Sequence, residues 1–244
     1  MADSGDHPPA PWRLRGEAAI VIIGVREHAA RGFPRPAGVE LLHAGGWTLG
    51  GALLARYDEH ATLPYQELIV FSGVARAAGR LALVVTHIYV DSLPSLRGGR
   101  EIWGLPKELA DFSWASRKVT VEQDGRPLLH ASFRRRPGRL LLPMPLYAPV
   151  FGDRGGVTVH AAGWGHLRGT PAVADFDVPR SSPFAGLGLS GRHLAVAGEA
   201  LDLHFPGARA ITRPSLNRYA RQGARDPPVR AGPTRSWPDA SGDR

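Results

Sequence analysis

The chain has 244 residues, 43% of them hydrophobic, which is enough apolar material for a real core and too much for a chain disordered throughout. The absence of cysteine excludes disulfides, thiolate metal sites and a cysteine nucleophile. A net charge of +8 raises nucleic-acid or anionic-membrane binding, yet many of the arginines fall in the C-terminal tail. The densest internal cluster, Arg134-Arg135-Arg136, has no aromatic stacking platform beside it and reads as a solvated hairpin end, so no nucleic-acid partner is expected.

Residues 1–11 read as a flexible leader, because Asp, Gly, His and three prolines cannot bury enough surface to offset ordering. The leader lacks the charged and apolar regions of a signal peptide, and no apolar run approaches the roughly 18 residues of a membrane span. The expectation is a cytoplasmic protein with no membrane partner.

"AAIVIIGV" (18–25) is a β-branched run suited to a strand buried on both faces. "VELLH" (39–43), "WTLGGALLARY" (47–57), "QELIVFSGVAR" (66–76) and "GRLALVVTHIYVDS" (79–92) continue as strands, with a turn at Ala77-Ala78-Gly79. Asp124-Gly125, flanked by "RKVTVEQ" and "PLLHASFRR", is the clearest hairpin signal in the chain. A second strand pair is expected between 156–169 and 171–179.

Helix is predicted only near 94–97, over 107–112 and between 183 and 189. With 30 glycines and 22 prolines marking turns, residues 12–211 read as a single β-rich domain. Residues 212–244, rich in proline and charge, read as a disordered basic tail.

No Walker-type loop, dinucleotide fingerprint or Gly-x-Ser-x-Gly elbow occurs. His160 and His166 have no carboxylate at ligand spacing, so neither metal nor cofactor is expected. Two positions stand out. Lys107 is one of only two lysines among 30 basic residues and directly follows a proline in "REIWGLPKELA". Arginine supplies a cation almost everywhere else in this chain, so a lysine there suggests amine chemistry that a guanidinium cannot perform, or a surface lysine closing a helix start. Glu67 opens the apolar strand "LIVFSG", where it either points into a barrel or pairs with an arginine at a sheet edge.

The order of a buried strand, a short helical turn, Gly-Arg-Glu, an aromatic step and Pro-Lys in "THIYVDSLPSLRGGREIWGLPKELADF" (86–112) resembles the acetoacetate decarboxylase-like family. "YQE" at 65–67 and "PW" at 11–12 are similar to further family positions. The resemblance spans roughly residues 11–205 and is specific over 99–110.

It implies a mostly β fold, a cone-shaped antiparallel β-barrel with a few short helices, assembled as a homo-oligomer and working on a small molecule. It further implies an apolar cavity in which Lys107 forms a Schiff base with a keto group and Glu67 acts as general acid/base or positions water. Tyr65, Tyr89, Trp103 and Arg100 would bind substrate there, with Arg100 and Glu101 also tying the loop to the barrel.

The sequence departs from the decarboxylases of that family at three places. Their second lysine is replaced by Glu108, whose charge would hold a neighbouring amine in the ammonium form. Their first-strand arginine falls on Glu17 or a neighbour, with Arg13, Arg15 and Arg26 as candidate substitutes, and a glutamate expected near residue 52 is missing.

These departures suit a divergent member in secondary metabolism that acts on a keto acid or related carbonyl compound by decarboxylase or aldolase-dehydratase chemistry. The alternatives are a natural-product cyclase or isomerase that uses the cavity without a Schiff base, and a non-catalytic small-molecule-binding accessory protein.

Overall fold

The computed structural model describes residues 7–135 and 142–212. Residues 213–244 of the predicted tail, Arg136 of the triple-arginine run and the first six residues of the leader lie outside the described residues.

The chain is mostly β. In order it forms β1 (Trp12–Arg26), α1 (Glu27–Arg31), β2 (Glu40–Leu41), β3 (Trp47–Tyr57), β4 (Tyr65–Ala77), β5 (Arg80–Val90), α2 (Leu93–Trp103) and β6 (Lys107–Leu109). Then follow β7 (Asp111–Ala115), β8 (Lys118–Gln123), β9 (Arg126–Arg135), β10 (Leu142–Arg154), β11 (Val157–Asp177), a 3-10 turn (Ala185–Leu187), β12 (Gly191–Phe205) and β13 (Arg209–Ala210). No helix among the described residues is long and apolar enough to cross a membrane.

The strands pair in the order β10-β5-β4-β3-β1-β12-β11, and a further β10–β11 pairing closes that path into a ring. Beyond β11 the sheet continues through β9, β8 and β7. Because side chains alternate along a strand, each ring strand presents one face to the interior of the ring and one to its outside. Leu14, Ile20, Leu53, Ile69 and Val85 point into the ring. Val21, Leu54, Leu68 and Val70 belong to a second core, shared with Val121, Leu129 and Phe133 of the β8–β9 layer. Over Ala18–Val21 both faces of β1 are buried or half-buried, which explains why its run starts apolar on consecutive residues rather than alternating.

The turns follow local chemistry. Ala78 and Gly79 (φ 46° and 73°), like Asp124 and Gly125 (51° and 70°), supply the two successive positive φ angles of tight hairpins. Two expectations fail. Residues 156–179 form no hairpin but mostly one 21-residue strand, β11, because Gly169-Thr170-Pro171 only produces a register shift against β12 and continues the ladder with Pro171 opposite Val196. Residues 107–112 are not helical either: Lys107 pairs in parallel with Ile88, which makes β6 a strand added to the edge of β5.

Residues 7–11, read as part of a flexible leader, pack instead on α2. Trp12 Nε1 donates to the Pro8 carbonyl at 2.9 Å, and His7 Nε2 lies 3.0 Å from Glu101. Arg134, on β9, is exposed and pairs with Asp175 at 3.3 Å.

The end of α2 is fixed against β10. Gly104 caps the helix at φ 62°, and the Asp153 N–H donates to its carbonyl at 2.9 Å. Opposite it, Gly152 leaves no space for a side chain, since a Cβ there would overlap the Trp103 carbonyl. Gly152→Ala should therefore destabilise the domain by about 3 kcal/mol. In thermal unfolding this would read as a fall in Tm of about 6–12 °C.

Burial in the outer core, beside Phe33, Tyr89 and Phe184, lowers the pKa of His87 below 6.5. Its neutral form is therefore favoured on folding, and that contribution is complete above about 6.5 and lost as pH falls through the folded value. Tm should drop on going from about pH 7.5 to about pH 5, and His87→Gln should flatten that drop.

Candidate functional site

Lys107 is delivered by the segment that leaves α2. Ser92 caps the helix start by accepting from the Ser95 N–H at 3.3 Å. After Gly104, Leu105 and Pro106 turn the chain so that Lys107 opens β6 beside Ile88. Arg100, expected to bind substrate, does not line the cavity: exposed on α2, it donates from Nε to the Lys107 carbonyl at 2.8 Å and anchors this turn.

Gly99 lies directly against the stem of Lys107. A Cβ at this position would come within 2.6 Å of Lys107 Cε and 2.9 Å of Cγ. The Gly98-Gly99 pair thus lets the lysine run along the helix surface, while Gly98 faces the Trp12 ring in the same way.

Lys107 is 3% exposed, as is Glu67. Lys107 Nζ lies 2.7 Å from Glu67 Oε1, donates to Ser95 Oγ at 2.9 Å and to the Tyr65 hydroxyl at 3.4 Å. Its three donors each have an acceptor. Glu67 Oε2 accepts from the Tyr57 hydroxyl at 2.8 Å, and the Tyr65 hydroxyl lies 3.5 Å from Oε1. The nitrogen also lies 4.9 Å from the Tyr65 ring centroid and 5.9 Å from that of Trp12.

Burial, and next the Glu67 charge, push both Tyr57 and Tyr65 well above the ordinary tyrosine range. Both phenols therefore remain neutral hydrogen-bond donors to the carboxylate.

Glu108, expected to hold the amine charged, faces the other way. In a strand successive side chains leave opposite faces, so Lys107 points into the ring while Glu108 is exposed and accepts from Gln123 Nε2 at 2.9 Å. Tyr89, opposite Glu108 in the ladder, shares that outer face. It packs against His87 and Phe184 rather than lining the cavity, because it is one residue out of phase with Ile88, which does line it. Trp103 and Tyr65 do line it. Trp103 packs edge-on against Trp12 at 4.8 Å and donates to the Pro206 carbonyl at 2.6 Å.

The cavity inside the ring measures about 590 Å³, within the usual range for a small-molecule site. Its walls are aliphatic and aromatic, and among the described residues Lys107 and Glu67 are the only charged groups that line it. None of the arginines considered for a substrate carboxylate is there. Arg13 pairs with Asp202 at 2.6 Å, Arg15 lies 3.7 Å from the same carboxylate, and Arg26 stacks on Trp47 at 3.9 Å. Glu17 pairs outside with Arg56 at 2.9 Å. Where a glutamate was expected near residue 52, Leu53 enters the cavity.

Sequence reasoning missed Trp12, Tyr57 and Ser95. Tyr57 was within reach, since the β3–β4 hairpin sets Tyr57 directly opposite Tyr65 and diagonal to Glu67. Ser95 had no such signal.

An amine and a carboxylate in direct contact, shielded from water, form a pair able to pass a proton, with two phenols and a hydroxyl holding the geometry.

The model of the family described as Acetoacetate decarboxylase (ADC) matches residues 16–143. Proteins named NEOXANTHIN-DEFICIENT 1 are similar over shorter stretches. The one from Oryza sativa subsp. japonica is 36% identical over 103 residues, 42% of this chain and 34% of its own length. The one from Solanum lycopersicum is 32% identical over 128 residues, 52% of this chain and 42% of its own. The chain thus spans well under half the length of these curated relatives.

Among solved structures, the enduracididine biosynthesis enzyme MppR, complexed with the condensation product of pyruvate and imidazole 4-carboxaldehyde, superposes with a TM-score of 0.60 at 16% identity, over 86% of this chain and 92% of its own. Acetoacetate decarboxylase from Legionella pneumophila gives 0.59 at 16% identity, over 87% and 92%. Likeness at this identity is likeness of fold.

Gly99→Ala separates the geometry of the lysine from the fold. Alanine favours the helix by up to about 1 kcal/mol, but its methyl must push the Lys107 stem aside. Tm should change by only a few degrees, at roughly 2–4 °C per kcal/mol, while the rate at which an amine-directed reagent modifies Lys107, followed by peptide mass spectrometry, should change severalfold.

Proposed function

The chain belongs to the acetoacetate decarboxylase family, and from that premise we propose that it is an enzyme whose Lys107 condenses with the carbonyl group of a small-molecule substrate, with Glu67 as its proton partner. The observation that carries this reading is the 2.7 Å contact between two buried, oppositely charged groups on an otherwise apolar wall.

Transfer of one proton from the ammonium to Glu67 leaves a neutral amine and a neutral acid, which also removes two buried charges at once. The amine adds to the carbonyl carbon, and a proton shift gives the carbinolamine. Glu67 then returns its proton to the departing hydroxyl, so water leaves and an iminium forms beside the restored carboxylate. That iminium accepts the electron pair of a bond broken at the neighbouring carbon, which is the step a lyase of either decarboxylase or aldolase-dehydratase type requires. Arginine at position 107 would offer no free amine for the first step.

A second reading is favoured by a different observation. The three donors of Lys107 are all occupied, no cation among the described wall residues is available for a substrate carboxylate, and relatives bear the name of a pigment deficiency. In that reading the cavity binds or isomerises a pigment-pathway molecule while Lys107 remains an ammonium.

Borohydride reduction in the presence of a panel of aldehydes and keto acids separates the two. The first reading expects a reduced adduct at Lys107 by mass spectrometry, none in Lys107→Arg, and adduct formation slowed about 100-fold or more in Glu67→Gln. Absence of any adduct, together with undiminished ligand binding by Lys107→Met, would sink it in favour of the second.

A further inference from the structure

The walls of the cavity say what kind of molecule it holds. Two adjacent strands run along it from end to end. β1 starts at Trp12, beside Lys107, and reaches Ile22. β12 runs antiparallel to it, with Phe205 opposite Trp12 and Val196 opposite Ile20, and begins its lining face at Leu194. The ten steps from Trp12 to Ile22, at about 3.3 Å each, make this face roughly 30 Å long.

At the lysine end the side chains are buried, with Trp12 at 1% and Tyr65 at 5% exposure. At the far end they are open to solvent: Ile22 is 53%, Tyr147 69% and Leu194 84% exposed, and all three line the same cavity. A mouth rimmed by exposed apolar side chains is unusual on a protein surface and marks a binding site. Between the two ends the described walls carry no charge beyond the Lys107–Glu67 pair, whose charges already compensate each other.

From this we infer that the ligand is an elongated, uncharged molecule whose single polar end, a carbonyl in the substrate, seats at Lys107 while its apolar body fills the cavity and leaves past Ile22, Tyr147 and Leu194. A carboxylate in that channel would be stripped of water with no cation to replace it. A short polar molecule would leave most of the apolar wall wet. The inference rests on the reading of Lys107 only for the identity of the polar group as a carbonyl.

Binding is measured by quenching of tryptophan fluorescence, since Trp12 and Trp103 line the site, with dodecanol, dodecanoate and butanol as probes. Each further buried methylene multiplies affinity by about four, so dodecanol should bind at least 100-fold more tightly than butanol. It should also bind at least tenfold more tightly than dodecanoate.

Ile69→Gln places an amide on the cavity wall opposite Ile88, the ladder neighbour of Lys107, and at unchanged Tm should weaken dodecanol at least tenfold. Dodecanoate or butanol binding as tightly as dodecanol would overturn the inference, as would an unchanged dodecanol affinity in a folded Ile69→Gln. Borohydride reduction with dodecanal then tests the lysine separately. An adduct at Lys107 supports both readings, whereas dodecanol preference without an adduct overturns the imine and leaves the ligand class standing.

Discussion

Everything about this site depends on keeping one ion pair intact where water does not reach it. Lys107 and Glu67 are each 3% exposed and 2.7 Å apart. Taking both charges out of water is repaid only by close geometry and by hydrogen bonds to what remains. Here the repayment comes from four separate elements: Glu67 and Tyr65 on β4, Tyr57 on β3, Ser95 on α2 and Lys107 at the start of β6. Removal of either charge alone would leave the other uncompensated, at a cost of about 3–5 kcal/mol.

The two-faced sheet keeps that pair apart from the rest of the protein's charge. Alternation along β6 sends Lys107 inward and Glu108 out to Gln123, and the same alternation on β5 places Ile88 in the cavity and Tyr89 in the outer core. A carboxylate adjacent in sequence is therefore remote in effect, while one forty residues away is in contact. The amine contacts a single carboxylate, Glu67, which is held by two phenols that burial keeps protonated.

The fold of this chain is shared with solved structures at 16% identity, and the described wall of its cavity carries only two charged side chains, Lys107 and Glu67. A barrel of this kind serves as scaffold, and its chemistry is set by the few side chains that point into it. The arginines that might have drawn an anionic substrate inward are engaged on the outer surface with Asp202 and Trp47. What remains inside is aliphatic and aromatic, with one polar end.

Much of this was legible in the order of residues. Strand positions followed from β-branched runs, the hairpin at Asp124-Gly125 from the φ angles those residues tolerate, and the barrel from the block around Pro106-Lys107. Tyr65 and Glu67, two apart on a strand, had to share a face. Local pattern misled where pairing decided the outcome. Lys107–Phe112 reads as a helix until an edge of β5 is available to pair with it, and 156–179 reads as a hairpin until β10, β9 and β12 line up along one long strand.

By itself the sequence carried the β-rich fold class and singled out one lysine in an arginine-rich chain and one carboxylate opening an apolar strand, because these depend on residue type and local pattern. Only the tertiary structure decided that Glu108 faces solvent, that Tyr57, Ser95 and Trp12 complete the pocket, and that no described arginine enters it. Those facts depend on strand register, on which face of a strand a residue occupies and, for Ser95, on how α2 packs beside β6; a shift of one residue along a strand sends its side chains to the opposite face.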